Sequence, residues 1–177
     1  MRITVSVIKA DIGSIGGHTL PSPEVLAIAR ERVERAKGSL LIDAFVCHTG
    51  DDICLSMTHT HGVDDSRVHE LAWQAFREGT EKAKAQGLYG AGQDLLKDAF
   101  SGNVRGLGPA SAEMEFEERP NEALIIFAAD KTEPGAYNLP FYLAFADPMY
   151  CAGLILSPKM GKGFTFRIID VAYTEKD

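Results

Sequence analysis

The 177 residues are 45 % hydrophobic and 24 % charged, an ordinary globular composition that suits one domain over 1–177 whose core needs neither disulfide nor metal to fold. A net charge of −7 and an isoelectric point near 5.2 argue against non-specific binding to nucleic acid or an anionic membrane, so a phosphate-bearing ligand needs local cations. No apolar run approaches the ~18 residues of a transmembrane helix, and no signal-peptide core is present. The odd set Cys47, Cys54 and Cys151 fits reduced thiols in a cytoplasmic protein and makes zinc a poor match.

The first segment, RITVSVI (2–8), alternates apolar Ile3, Val5 and Val7 with polar neighbours, the pattern of a half-buried strand. Asp11 follows at its C-terminal end, then the glycine-rich strap IGSIGGH ending in His18, where the backbone can turn sharply and approach a ligand. The spacing is not that of a dinucleotide fingerprint. A helix is predicted from Ser22, a suitable N-cap, and Pro23 to a C-terminal cap at Gly38. Its inward stripe is Val25, Ala29, Val33 and Ala36, with charges facing water.

LLIDAFVC (40–47) and ICLSMTH (53–59) read as two strands joined through HTGDD (48–52). The adjacent carboxylates Asp51 and Asp52 fit either a solvated turn or a site for a hard divalent cation, which removes their repulsion. His59 and His61 stand at i and i+2, on one face of a strand. That spacing fits a metal site, but with no matching third ligand nearby it reads as a polar strand end. A second helix is predicted from Asp65 or Ser66 to Gln86, stopping at Gly87. Val68, Leu71, Ala72, Ala75, Phe76 and Ala83 form its apolar side, with Trp73 at the stripe's edge or against a neighbouring subunit.

The glycine-rich segment 87–109 carries Tyr89, Gln93, Asp94, Asn103 and Arg105, with Leu95, Leu96, Phe100 and Leu107 to pin it. Long ordered loops of this kind are usually functional. The backbone around SGNVRG either cradles a phosphate or is a structural loop with an exposed arginine. AEMEFEE (112–118) is expected to point Met114 and Phe116 inward and its glutamates outward. ALIIFAA (123–129) reads as a central strand buried on both faces and ends in Asp130-Lys131. LPFYLAFA (139–146) is predicted helical and FTFRIIDV (164–171) a last strand.

Strand ends on one side of a sheet can gather Asp11, Asp51, Asp52 and Asp130. Four carboxylates so placed need cations and suit two or three Mg²⁺ ions, with Gln93, His18 and waters completing the shells. Closely spaced Mg²⁺ ions serve phosphoryl transfer to water, and Lys131 could hold a phosphate as a point charge.

Taken together, SVIKADIGSIGGH, HTGDD, MTHTHG, LYGAGQDLLKDAFSGNVRGLGP and ADKTEPGAYNLPFYLAFADP resemble the archaeal-type fructose-1,6-bisphosphate aldolase/phosphatase family from Ile3 to about residue 171. The resemblance implies an α+β fold, a layered α-β-β-α sandwich that assembles as a homo-octamer. It implies a cytoplasmic gluconeogenic enzyme that condenses dihydroxyacetone phosphate with glyceraldehyde 3-phosphate. The same enzyme then removes a phosphate from the resulting fructose 1,6-bisphosphate using two or more Mg²⁺ ions. Asp11, His18, Asp51, Asp52, Gln93 and Asp130 would be the metal ligands; His18, Tyr89, Gly102, Asn103 and Lys131 would contact the sugar phosphate. Family members are about double this length, and their C-terminal half supplies the Schiff-base lysine and the aldolase tyrosine. The resemblance therefore carries over the phosphatase part only. The chain is expected to be either a phosphatase matching the N-terminal half or a non-catalytic, partner-dependent half that binds sugar phosphate.

Overall fold

The computed structural model describes residues 1–96, 108–120, 124–130 and 138–145, with Asp147 and Met149. The chain divides into two compact units, the first over residues 1–123 and the second beginning at Leu124. The first unit is an α+β layer pair. Strands β1 (Arg2–Ala10), β2 (Asp43–Thr49), β3 (Asp52–His59) and β4 (Ala110–Glu117) form one antiparallel sheet in the order β2-β3-β1-β4.

Helices α1 (Pro23–Glu34) and α2 (Ser66–Ala85) pack on each other and cover the face of the sheet made by Ile8, Ala10, Ile53, Leu55 and Met57. Each helix start follows from its cap. Ser22 Oγ accepts from the Val25 N–H at 3.2 Å, and Asp65 Oδ1 accepts from the Arg67 and Val68 N–H groups at 3.0 and 3.3 Å. The predicted stripes are buried at Val25, Ala29 and Val33 on α1 and at Val68, Leu71, Ala72, Ala75, Phe76 and Ala83 on α2, whereas Ala36 lies past the end of α1 and is only partly buried. Helix α1 stops at Glu34, before the expected Gly38, because the chain turns back so that the Gly38 N–H reaches the Leu41 carbonyl at 2.9 Å. A second helix layer and a second sheet layer are not among the described elements of this unit.

Strand β4 departs from expectation. Its register sets Glu113 opposite Ser6 and Glu115 opposite Thr4, and directly opposed residues share a face. The glutamates therefore lie on the helix-bearing face, whereas Met114 and Phe116 join Val5 and Ile3 on the other. This is possible because the core ends short of β4, and Glu113 finds donors there. It accepts from Ser6 Oγ, from His69 Nε2 at 3.1 Å and from the Asp64 N–H at 2.7 Å. Burial alone would raise its pKa, but these donors hold it down at about 2.

His59 belongs to the same network. Its Nδ1 accepts from the His61 N–H at 3.3 Å, so Nε2 carries the proton and donates to Ser6 Oγ at 2.8 Å. His61 Nε2 donates to the Leu40 carbonyl at 3.0 Å. The two rings stack at 5.6 Å with both His59 nitrogens and His61 Nε2 already engaged, which agrees with a polar strand end rather than a metal pair. Desolvation lowers the His59 pKa, consistent with a neutral ring.

In the second unit, helix α3 (Asn138–Phe145) matches the predicted helix. The apolar run 124–129 does not match: it is outside any strand, and Leu124, Ile125 and Ile126 are 42–47 % exposed. A doubly buried strand needs flanking strands and a cover on each face, and the described residues of this unit supply neither. The strand expected at 164–171 lies outside the described residues.

Phe76, the largest fully buried side chain among the described residues, anchors α2 to the core. Phe76→Ala should lower unfolding free energy by about 3–5 kcal/mol, read as a shift in urea midpoint at constant m-value.

Candidate metal centre

The antiparallel pairing of β1 with β3 decides where the acidic residues meet. Ala10 pairs with Ile53, so Asp11, just past the end of β1, lies beside the start of β3, where Asp51 and Asp52 stand. Those two are presented by the two-residue connection between Thr49 and Asp52. Gly50 takes a φ of +58° there, the left-handed conformation that hairpin turns commonly assign to glycine.

The strap after β1 then folds back over the acids. Gly13 has φ +132°, and a Cβ on it would fall 2.8 Å from Ala83 Cβ and 3.2 Å from the backbone of Ala91, so the strap passes where no side chain fits. His18 also has positive φ, +56°, stabilised by its N–H donating to Ser14 Oγ at 3.0 Å. This delivers the imidazole to the acids: Nδ1 lies 2.8 Å from Asp51 Oδ2 and 3.4 Å from Asp11 Oδ2.

The loop after α2 is zipped to the same strap. Ser14 N–H and C=O pair with Tyr89, Gly92 N–H donates to the Ile12 carbonyl at 3.0 Å, and Asp94 N–H donates to the Asp11 carbonyl at 3.1 Å. Asp94 Oδ2 in turn accepts from the Asp11 N–H at 2.8 Å. The Tyr89 ring meets His18 edge-on at 4.9 Å. The 3₁₀ turn Gln93–Leu95 brings Gln93 alongside: Gln93 Oε1 and Asp11 Oδ1 both border the space over Gly90, at 3.2 and 4.0 Å.

Asp11, Asp51 and Asp52 are 3, 0 and 7 % exposed, which forces the electrostatic question. Lys9 Nζ pairs with Asp52, and Gly13 N–H donates to Asp11 Oδ1 at 3.2 Å. Asp11 Oδ2 is buried without a hydrogen-bond partner. Desolvation first, and the nearby Asp51 charge second, push the Asp11 carboxyl up to about 6. Such a shift marks a site where a negative charge is poorly compensated. Ligand atoms of Asp11, His18 and Asp51 all lie within 4.8 Å of one another. An orphaned carboxylate oxygen, a second buried carboxylate and an imidazole form a largely oxygen donor set that fits a hard divalent cation.

Of the expected ligands, Asp11, His18, Asp51, Asp52 and Gln93 therefore converge in the first unit, with Tyr89 beside His18. Asp130, half-buried, belongs to the second unit. Gly102, Asn103 and Lys131 lie outside the described residues. Two contributors were not singled out from sequence: Lys9, which pairs with Asp52, and Asp94, which clamps the Asp11 backbone. Lys9 is legible as a cation two positions before a strand-end aspartate; Asp94 carries no such local signal. A further grouping, Asp64, His69 and Glu113, is the network that ties β4 to α2.

A family model described as Fructose-1,6-bisphosphatase matches residues 2–177. Three curated relatives carry the name fructose-1,6-bisphosphate aldolase/phosphatase. That of Thermus thermophilus is 66 % identical over the whole chain and 49 % of its own length. That of Ignicoccus hospitalis is 59 % identical over 96 % of the chain and 44 % of its length. That of Moorella thermoacetica is 57 % identical over 99 % of the chain and 46 % of its length. The chain thus spans about half the length of the curated relatives it matches.

The raised Asp11 pKa fixes a sign. A carboxyl that titrates near 3.8 unfolded and about 6 folded binds more protons in the native state between those values, so stability falls as pH rises through that window. Metal-free protein should lose melting temperature from about pH 4 to about pH 6. Asp11→Asn should lack this component and melt higher than the parent at pH 7, in paired thermal melts.

Proposed function

Because the chain belongs to the fructose-1,6-bisphosphatase family, we propose that it is the Mg²⁺-dependent phosphatase part of a fructose-1,6-bisphosphate aldolase/phosphatase. It hydrolyses the bisphosphate to the monophosphate in cytoplasmic gluconeogenesis. The observation that carries this reading is Asp11 Oδ2, buried beside the buried Asp51 with no hydrogen-bond partner of its own. Asp11, His18, Asp51, Asp52 and Gln93, with Asp130 as the family resemblance implies, would hold two or more Mg²⁺ ions. When bound, such ions orient a phosphate ester, acidify water and neutralise the leaving oxygen.

The protein's own groups do the positioning. Lys9 holds Asp52 in place, Asp94 fixes the Asp11 backbone, and Tyr89 buttresses the His18 ring. His18 and Tyr89 would contact the substrate, as would Gly102, Asn103 and Lys131 by the family resemblance; ammonium and amide donors suit phosphate oxygens. Fructose 1,6-bisphosphate is the substrate of the phosphatase step. Dihydroxyacetone phosphate and glyceraldehyde 3-phosphate would meet the same residues in the family's aldolase step, whose lysine and tyrosine the matching N-terminal half does not supply, and the working assembly is a homo-octamer.

A second reading is favoured by one fact, that the chain spans only about half of each relative's length. It is a sugar-phosphate-binding half that needs a partner for turnover. The two separate in one experiment. A phosphatase releases inorganic phosphate from fructose 1,6-bisphosphate in Mg²⁺, stops in excess EDTA, and loses about 100-fold or more of its rate in Asp51→Ala. A binding half gives Mg²⁺-dependent heat with the bisphosphate in calorimetry and no phosphate release. Undiminished turnover in excess EDTA would exclude the Mg²⁺-dependent mechanism.

A further inference from the structure

We propose that Cys47 and Cys54 are an oxidation site that closes into a cross-strand disulfide, stapling the β2–β3 hairpin behind the turn that carries Asp51 and Asp52. The two residues are direct partners in the β2–β3 ladder, so their side chains leave the same face of the sheet. Both thiols are free. Directly opposed residues in antiparallel strands have Cα atoms about 4.5–5.5 Å apart, inside the window of roughly 4.4–6.8 Å that a disulfide spans. Their Cβ atoms sit slightly farther apart than in a formed bridge, so one strand must yield a little. Strand β2 can do so: it is an edge strand of the described sheet, bonded to β3 on one side.

Exposure sets the order of events. Cys54 is 1 % exposed, whereas Cys47 is half-buried, so a small peroxide reaches Cys47 first. Attack of the Cys47 sulfur on a peroxide oxygen breaks the O–O bond, giving a sulfenic acid and water. The Cys54 sulfur then attacks the Cys47 sulfur; the S–O bond breaks, the S–S bond forms, and the hydroxyl leaves with the Cys54 proton as a second water. One peroxide is reduced to two waters and two thiols are oxidised to one disulfide. A small dithiol reverses the closure by two thiol–disulfide exchanges, returning both cysteine thiols and leaving as its own cyclic disulfide.

The ring so closed runs from residue 47 to 54 and encloses Gly50, Asp51 and Asp52. It also passes beside Lys9, the β1 partner of Cys54 and the cation of Asp52. The link therefore constrains the one turn from which two of the candidate ligands project, without using any of them.

The sequence offers a direct readout. No Lys or Arg lies between Gly38 and Ser66, so trypsin releases 38–67 as a single peptide holding both cysteines, while Cys151 falls in a different peptide. Full-length protein is treated with hydrogen peroxide, denatured in N-ethylmaleimide, digested and weighed. The expected peptide 38–67 is lighter by two hydrogens and unalkylated, and it takes up two maleimides only after prior reduction with dithiothreitol. In Cys47→Ser the same treatment should leave Cys54 open to alkylation. Any of three results overturns the proposal: both cysteines alkylated after peroxide, Cys47 carried to sulfinic acid with no link, or peptide 38–67 joined to a second peptide.

Discussion

Negative charges buried together set the terms for this fold. Asp11, Asp51 and Asp52 are nearly excluded from water at the one place where the ends of β1 and β3 meet, and taking carboxylates out of water is expensive unless each is compensated. Most of the surrounding architecture serves that compensation. Lys9 answers Asp52 from the neighbouring strand, the strap folds back to place His18 against Asp51, and Gly13 passes through a gap too narrow for a side chain so that the strap can do so. What remains is Asp11 Oδ2, held in place through the Asp94 clamp on its own backbone and left without a donor. The packed helices behind the sheet supply the rigidity that keeps such an arrangement from relaxing.

Two places along β1 show how differently buried polar groups can be treated. Opposite its middle, Glu113 is also half-buried and also surrounded by titratable groups, yet Ser6, His69 and the Asp64 backbone satisfy it and its pKa falls. Just past its end, Asp11 has too few donors and its pKa rises. The first is a network that fastens β4 to α2. The second is a cluster whose negative charge its own neighbours compensate poorly, the property that marks candidate functional sites.

Much of this was legible in the sequence where local chemistry decides. The caps Ser22 and Asp65, most of the stripes of α1 and α2, the strand-end position of Asp11 and the hairpin that carries Asp51 and Asp52 all follow from spacing and turn residues. Long-range register was not legible. Glutamates 113 and 115 alternate with Met114 and Phe116, and nothing local says which set meets the helices; only the pairing with Ser6 and Thr4 fixes it. The run 124–129 shows the same limit from the other side, since hydrophobicity alone implies a buried strand but cannot provide the neighbours that bury it. Asp94 stands in the glycine-rich loop, but its hold on the Asp11 backbone was not legible, because no local pattern announces a contact so far away in sequence.

If the Asp11–His18–Asp51 cluster takes up a hard divalent cation, it displaces a proton in doing so. Calorimetric titration of Mg²⁺ at pH 6, in two buffers of different ionisation enthalpy, measures both at once. Saturable binding with net proton release is expected, because the Asp11 carboxyl is pushed up to about 6, and both should be lost in Asp51→Asn. Absence of Mg²⁺ binding, or binding that persists unchanged in Asp51→Asn, would contradict it.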